Sequence, residues 1–121
     1  MKKTQEISGA ELEVMQILWK YNRAMKVQEV WDALQSDKWK YRTVGTLLLR
    51  MEEKGAVTSE KVGKANLYTP VLDKDEYLQS QTKNFIQKLY NGSVKELAVS
   101  LLRNHTLSNK DIADIRKEFD L

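Results

Sequence analysis

The stretch Trp39-Lys40-Tyr41-Arg42-Thr43-Val44-Gly45-Thr46-Leu47-Leu48-Leu49-Arg50-Met51-Glu52-Glu53-Lys54-Gly55 carries two patterns at once. At about 100° per residue, Val44, Leu47, Leu48 and Met51 fall on one stripe at i, i+3, i+4 and i+7, which predicts a helix pressed against a core. The opposite arc holds Arg42, Thr43, Thr46 and Arg50, with Lys40 just ahead, and no acid interrupts it before Glu53. Arginine donates paired hydrogen bonds to guanine or to phosphate. Threonine offers a hydroxyl to a phosphate or base edge and a methyl to the methyl of thymine. The helix therefore reads as a recognition helix, one face for a core and the other for duplex DNA.

Gly55 follows directly and ends the helix as a C-cap glycine does. Beyond it, Ala56-Val57-Thr58-Ser59-Glu60-Lys61-Val62 and Ala65-Asn66-Leu67-Tyr68-Thr69-Pro70-Val71 are two β-rich runs about Gly63-Lys64, which predicts a hairpin with a tight turn. A helix followed at once by a small hairpin bearing Lys61 and Lys64 is the element order of a winged helix-turn-helix. Upstream, Ser8-Gly9-Ala10-Glu11 has the form of a capping box, with Ile7 and Leu12 at the staple positions. A first helix is expected from Gly9 to about Tyr21, with Leu12, Met15, Leu18 and Trp19 turned inward. Val27, Val30, Trp31 and Leu34 set a second helical stripe within Lys26 to Gln35, and Ser36-Asp37-Lys38 turns the chain into the recognition helix. Met1 to Glu6 reads as a loose arm. Residues 1–72 are thus expected to form a DNA-binding domain of three helices and a hairpin.

The remainder, residues 73–121, shows helices and no strand signal. Asp73 with Glu76, Ser93 with Glu96, and Ser108 with Asp111 each resemble a capping box, and Asn91-Gly92 breaks the first helix from the second. The stripes are Leu78, Phe85, Ile86 and Leu89; then Val94, Leu97, Ala98, Leu101 and Leu102; then Ile112, Ile115 and Phe119. Three short helices are too small a unit to bury these faces unaided. A second copy of the chain is the economical partner, since twofold dimers are the commonest oligomers, and folding back onto the winged helix is the alternative. The fold class is therefore mostly α: a winged helix-turn-helix followed by a small helical dimerisation domain.

Composition narrows the function. The 121 residues, 41% of them apolar, suffice for one domain or a small domain with an appendage. No apolar run approaches the length of a membrane span and no leader pattern opens the chain, so a cytoplasmic protein without membrane association is expected. Cysteine is absent, which removes disulfides, thiolate metal sites and a nucleophilic thiol. The net charge of +3 is unevenly placed, with seven basic against three acidic side chains in residues 38–64. A basic patch on that module favours a polyanionic partner.

The order Ile7-Ser8-Gly9-Ala10-Glu11-Leu12-Glu13-Val14-Met15, the run from Trp39 and Arg42 to Met51 and Lys54-Gly55, and Tyr68 in the last wing strand together resemble the BlaI/MecI/CopY family of bacterial repressors. The similarity continues through Lys83-Asn84-Phe85-Ile86 and Tyr90-Asn91-Gly92 to Leu107-Ser108. It implies a winged-helix domain with a helical dimerisation domain, acting as a homodimer on inverted-repeat operators with a TACA…TGTA-like core. Repression by occlusion of promoter DNA, without catalysis, is implied as well. Carried over, the major-groove positions are Arg42, Thr43 and Thr46, with Arg50 near the backbone and Lys61 and Lys64 on the wing.

Three departures bear on that resemblance. Copper-responsive members end in paired cysteines, and this chain ends Ile115-Arg116-Lys117-Glu118-Phe119-Asp120-Leu121. The β-lactam-responsive members are cut at an Asn-Phe bond, where this chain has Ser100-Leu101. Neither inducer is therefore supported by its own motif. Gly45 inside the recognition helix costs about 1 kcal/mol of helix propensity and is read as permitting close approach to DNA.

Two other classes compete. An enzyme would need a catalytic set, and the single histidine, His105, sits in Arg103-Asn104-His105-Thr106 between two helices, where a turn or cap role is expected. One histidine and no cysteine also leave the usual zinc sets unavailable, so neither metal nor cofactor is expected. A winged-helix protein–protein module would present the same third helix to another protein. An acidic face would favour that reading, and this face is basic.

Overall fold

A computed structural model of the chain describes residues 6–35 and 37–119. The expected arm through Gln5 and the linker residue Ser36 lie outside the described residues. In chain order the elements are α1 (Gly9–Tyr21), β1 (Met25–Lys26), α2 (Val27–Leu34), α3 (Tyr41–Glu53), β2 (Val57–Val62), β3 (Ala65–Pro70), α4 (Lys74–Tyr90), α5 (Val94–Arg103) and α6 (Asn109–Phe119). They group into two compact units, one ending at Tyr77 and the other beginning at Leu78.

In the first unit, α1 begins where the capping box places it. The Glu11 amide donates to Ser8 Oγ at 3.2 Å and the Ser8 amide donates back to Glu11 Oε1 at 2.8 Å, satisfying two donors that the helix start would leave open. Met15 and Leu18 are buried as expected, whereas Leu12 and Trp19 are partly buried and pack against the core. Val14, outside the sequence-read stripe, is fully buried because α1 meets both other helices and the sheet. Val30 from α2 and Val44, Leu47, Leu48 and Met51 from α3 complete the helical part of this core.

The sheet has three strands in the order β1-β3-β2, not the two of a hairpin alone. β1 is only Met25–Lys26, paired antiparallel to β3 with Met25 opposite Tyr68 and Lys26 opposite Leu67. Two residues are too few to show period-two alternation, so this strand read as the approach to a helix. Met25, Val57 and Tyr68 are buried on the sheet's inner side. Trp19 Nε1 donates to the Leu72 carbonyl at 2.8 Å, and its ring lies 6.2 Å from that of Tyr77. That packing carries the unit past Leu72 and into the first turn of α4.

The second unit is built differently. Ser93 and Ser108 cap α5 and α6 through the Glu96 and Asp111 amides, and the Ser108 amide donates back to Asp111 in a reciprocal box. Asn91 and Gly92 both take positive φ, 49° and 84°, at the break between α4 and α5. Among its described apolar residues only Ile86 is buried, at 9% exposure. Leu78, Phe85, Leu89, Leu102, Ile115 and Phe119 are exposed, and Leu97, Leu101 and Ile112 are half-buried. An open apolar groove of about 610 Å³, lined chiefly by Ala98, Leu101, Leu102, Leu107, Ile112 and Ile115, runs between α5 and α6.

Candidate nucleic-acid interface

α3 is held from behind and at both ends. Val44, Leu48 and Met51 are fully buried and Leu47 nearly so, which fixes the rotation of the helix about its axis. Ahead of it, Trp31 Nε1 donates to the Trp39 carbonyl at 2.7 Å, and Tyr41 meets the Trp31 ring edge-on at 5.8 Å, so α2 and the entry to α3 are tied together. At the far end Gly55 takes φ 82°. Its amide reaches the Glu52 carbonyl at 3.0 Å and the Ala56 amide reaches that of Met51 at 2.9 Å, a Schellman closure that only a left-handed residue completes.

A partly buried ion pair secures that end. Lys54 Nζ donates to Glu11 Oε1 at 2.6 Å, so the residue that caps α1 also holds the C-terminus of α3. Burial opposes the charge on Glu11. The Lys54 ammonium and the Ser8 backbone and hydroxyl outweigh it and hold the carboxyl below the usual glutamate range. Sequence reading found the cap and missed this partner, because the pair is separated by 43 positions.

With its back fixed, α3 turns Arg42, Thr43, Thr46 and Arg50 to solvent, and Lys40 at the N-cap position is exposed beside them. Thr46 departs from the expectation in one respect. Its hydroxyl donates to the Arg42 carbonyl at 3.1 Å, so the proton is committed to the helix, and the oxygen lone pairs and the methyl are what it offers a partner. Gly45 does not lie on this face. A Cβ there would meet Val27 Cγ1 at 3.9 Å, an ordinary contact, so the position looks toward α2 and has room for a methyl. Leu49 stands in a run of three leucines, where composition alone does not tell the outward one from the two buried ones. It is 53% exposed and shares the outward arc with Arg42 and Thr46.

The wing carries the second set of cations. β2 and β3 pair from Val57 opposite Pro70 to Val62 opposite Ala65, leaving Gly63-Lys64 as a two-residue turn with positive φ at Gly63. That is the arrangement of a type II′ hairpin, which places Lys64 at the tip. Lys61 and Lys64 are exposed. Ser59 Oγ donates to Glu52 Oε2 at 2.6 Å and ties the wing's first strand to α3. Burial, with the Glu52 charge adding to it, raises the Tyr68 phenol above its ordinary value at the same place.

The charges are distributed unequally between structure and surface. Arg23, Lys38, Lys54 and Lys110 are engaged in ion pairs. Lys40, Arg42, Arg50, Lys61 and Lys64 form none among the described residues, and all five are exposed. Such an arrangement can neutralise phosphates without first breaking an internal contact. Among the described residues no group of three or more His, Cys, Asp or Glu is placed to hold a metal, and no helix is long and apolar enough to cross a membrane. His105 stands at φ 56° in the turn after α5, its amide donating to the Leu102 carbonyl. The Ser100–Leu101 bond lies inside α5. The Ser100 carbonyl accepts from the Asn104 amide, and the Ser100 hydroxyl oxygen accepts from Tyr90 and Asn104.

The chain matches the family described as Penicillinase repressor over residues 7–120. It is 33% identical over 115 residues to the penicillinase repressor of Bacillus licheniformis, covering 95% of this chain and 90% of that one. To the methicillin resistance regulatory protein MecI of Staphylococcus aureus strain N315 it is 34% identical over 117 residues, covering 94% and 93%. Among solved structures, the DNA-binding domain of the repressor BlaI in solution is similar, with TM-score 0.55 and 41% identity over 64% of this chain and 94% of that one. The monomeric form of Bacillus licheniformis BlaI in complex with the blaP half-operator gives TM-score 0.52 at 41% identity, with the same coverage.

Proposed function

We propose that this chain, which belongs to the penicillinase repressor family, represses transcription as a homodimer on inverted-repeat DNA, with the outward face of α3 in the major groove and the wing on the backbone. The chain is a DNA-binding transcriptional repressor. The observation that carries the manner of binding is the set of five exposed cations without ion pairs, Lys40, Arg42, Arg50, Lys61 and Lys64, on one helix face and one hairpin. Arg42, Thr43 and Thr46 read base edges, while Lys40, Arg50, Lys61 and Lys64 meet phosphates. A winged-helix module for an acidic protein partner is the competing reading, and the DNA-binding repressors to which the chain is similar favour DNA.

The Bacillus licheniformis relative in monomeric form is in complex with half of its operator. Two halves in inverted repeat call for two chains, and the exposed stripes of α4, α5 and α6 supply the joint. Leu78, Phe85, Ile86, Leu89, Leu97, Leu101, Leu102, Ile112, Ile115 and Phe119 pack against a second copy. The protein works in the cytoplasm, where its operator is, and acts by occupancy, with neither catalysis nor a cofactor. Release by cutting at Ser100–Leu101 would require α5 to open first, since the bond sits within helical hydrogen bonds.

The test is a fluorescence-anisotropy titration of the full-length chain on an inverted-repeat duplex and on a single half-site, each at two salt concentrations. The proposal expects tighter binding to the inverted repeat and, for both duplexes, affinity that falls steeply with salt. Equal affinity for the two duplexes, or binding indifferent to salt, would refute it.

A further inference from the structure

We propose that Leu49 reads the C5-methyl group of a thymine in the operator, forming with Thr46 an apolar patch inside the basic frame of α3. The proposal rests on the DNA-reading role given above and adds a residue and a chemical feature to it. α3 buries Val44, Leu47, Leu48 and Met51, at 5% exposure or less, and turns Leu49 out at 53%. A lone exposed leucine on an arbitrary surface needs no explanation. This one stands three residues after Thr46 and seven after Arg42, so it shares their face, one turn along from Thr46.

The chemistry of its neighbour points the same way. The Thr46 hydroxyl proton is held by the Arg42 carbonyl, which lowers the residue's value as a donor to bases, and Thr46 stands three residues before Leu49 on the same helical face. Arg42 lies on the same arc one turn before Thr46, Arg50 to one side and Glu53 one turn beyond Leu49, and the two arginines are the groups that can make the polar contacts. In the major groove a thymine differs from every other base by its methyl group, and an apolar side chain is what recognises it. Leucine gains nothing from phosphate or from a polar base edge, so a methyl is the feature on duplex DNA that suits it.

Uracil removes that methyl and changes nothing else in the pair, which makes the test direct. An inverted-repeat duplex of the TACA…TGTA type is prepared with each thymine replaced in turn by deoxyuridine and titrated with the wild-type chain, Leu49→Ala and Leu49→Met. The wild type should lose about three- to fivefold at one thymine of each half-site, the scale of one methyl group returned to water. Leu49→Ala should show no penalty at that position, and Leu49→Met, which keeps an apolar side chain, should retain it. Leu49→Ala should also melt as the wild type does, because the side chain is outside the core. An equal uracil penalty in wild type and Leu49→Ala, or no penalty at any thymine in the wild type, overturns the assignment while leaving DNA binding intact. Failure of the wild type to bind the all-thymine duplex overturns the DNA-reading role itself, and this proposal with it.

Discussion

Arg42 and Thr46 lie opposite the apolar stripe of α3 and are exposed, so removing either side chain tests the proposed reading role apart from folding. Arg42→Ala or Thr46→Ala is expected to weaken specific binding by about 1–3 kcal/mol with an unchanged melting temperature. Parallel operator titrations and thermal melts check this, and wild-type affinity in both variants would exclude the face as the reader. Gly45 gives the converse. A methyl there meets only Val27 at 3.9 Å, so Gly45→Ala should stabilise the fold by up to about 1 kcal/mol, measured by urea unfolding. The Glu11–Lys54 pair yields a pH dependence. A carboxyl whose folded pKa lies below its unfolded value stabilises the fold fully above the unfolded value, and that stabilisation is lost as pH falls through the folded one. Wild type should therefore melt above Glu11→Gln near neutrality, with the gap closing below about pH 4, and a gap independent of pH would contradict the pair. At this scale the sequence showed residue types and helical angles. It could not show that the Thr46 proton is spent on a carbonyl, or that the Glu11 cap also pairs with Lys54, because both depend on rotamers and on packing between distant segments.

Among the elements, α1 and α3 were legible nearly to the residue, since each carries a strong apolar period and a chemically marked end: the Ser8–Glu11 box at one, Gly55 at the other. β1 was not, because a two-residue strand exists only by pairing with β3. The hairpin was legible through Gly63-Lys64, and its geometry separates its role from that of α3. A lysine at the tip of a type II′ turn reaches phosphate, with no fork to single out a base. Lys64→Ala is thus expected to weaken every duplex alike and to lower the slope of log affinity against log salt by about one unit. Titrations against operator and unrelated DNA at several salt concentrations measure both, and a loss confined to the operator would contradict the role. The helices of the second unit were legible as stripes. That those stripes stay largely open in a single chain required the structure, since periodicity tells which residues share a face and not what covers it.

For the whole molecule, the two units divide the work. The first has a closed core and displays unpaired cations, whereas the second leaves most of its apolar residues uncovered, Phe119 at 64% exposure among them. The proposed function assigns the first unit to reading DNA and the open apolar stripes of the second to joining two copies, as an operator with two halves requires. Two readers joined in that way would make the second half-site contact an intramolecular event and multiply affinity without any new contact to DNA. On the proposed reading, two copies place two α3 helices in successive major grooves of an inverted repeat. Hydroxyl-radical footprinting of the full-length chain on such a duplex tests it most directly. Two protected patches are expected, related by twofold symmetry and about one helical turn apart, both appearing at the same protein concentration. Protection of one half-site well before the other, or no protection centred on the repeat, would contradict it.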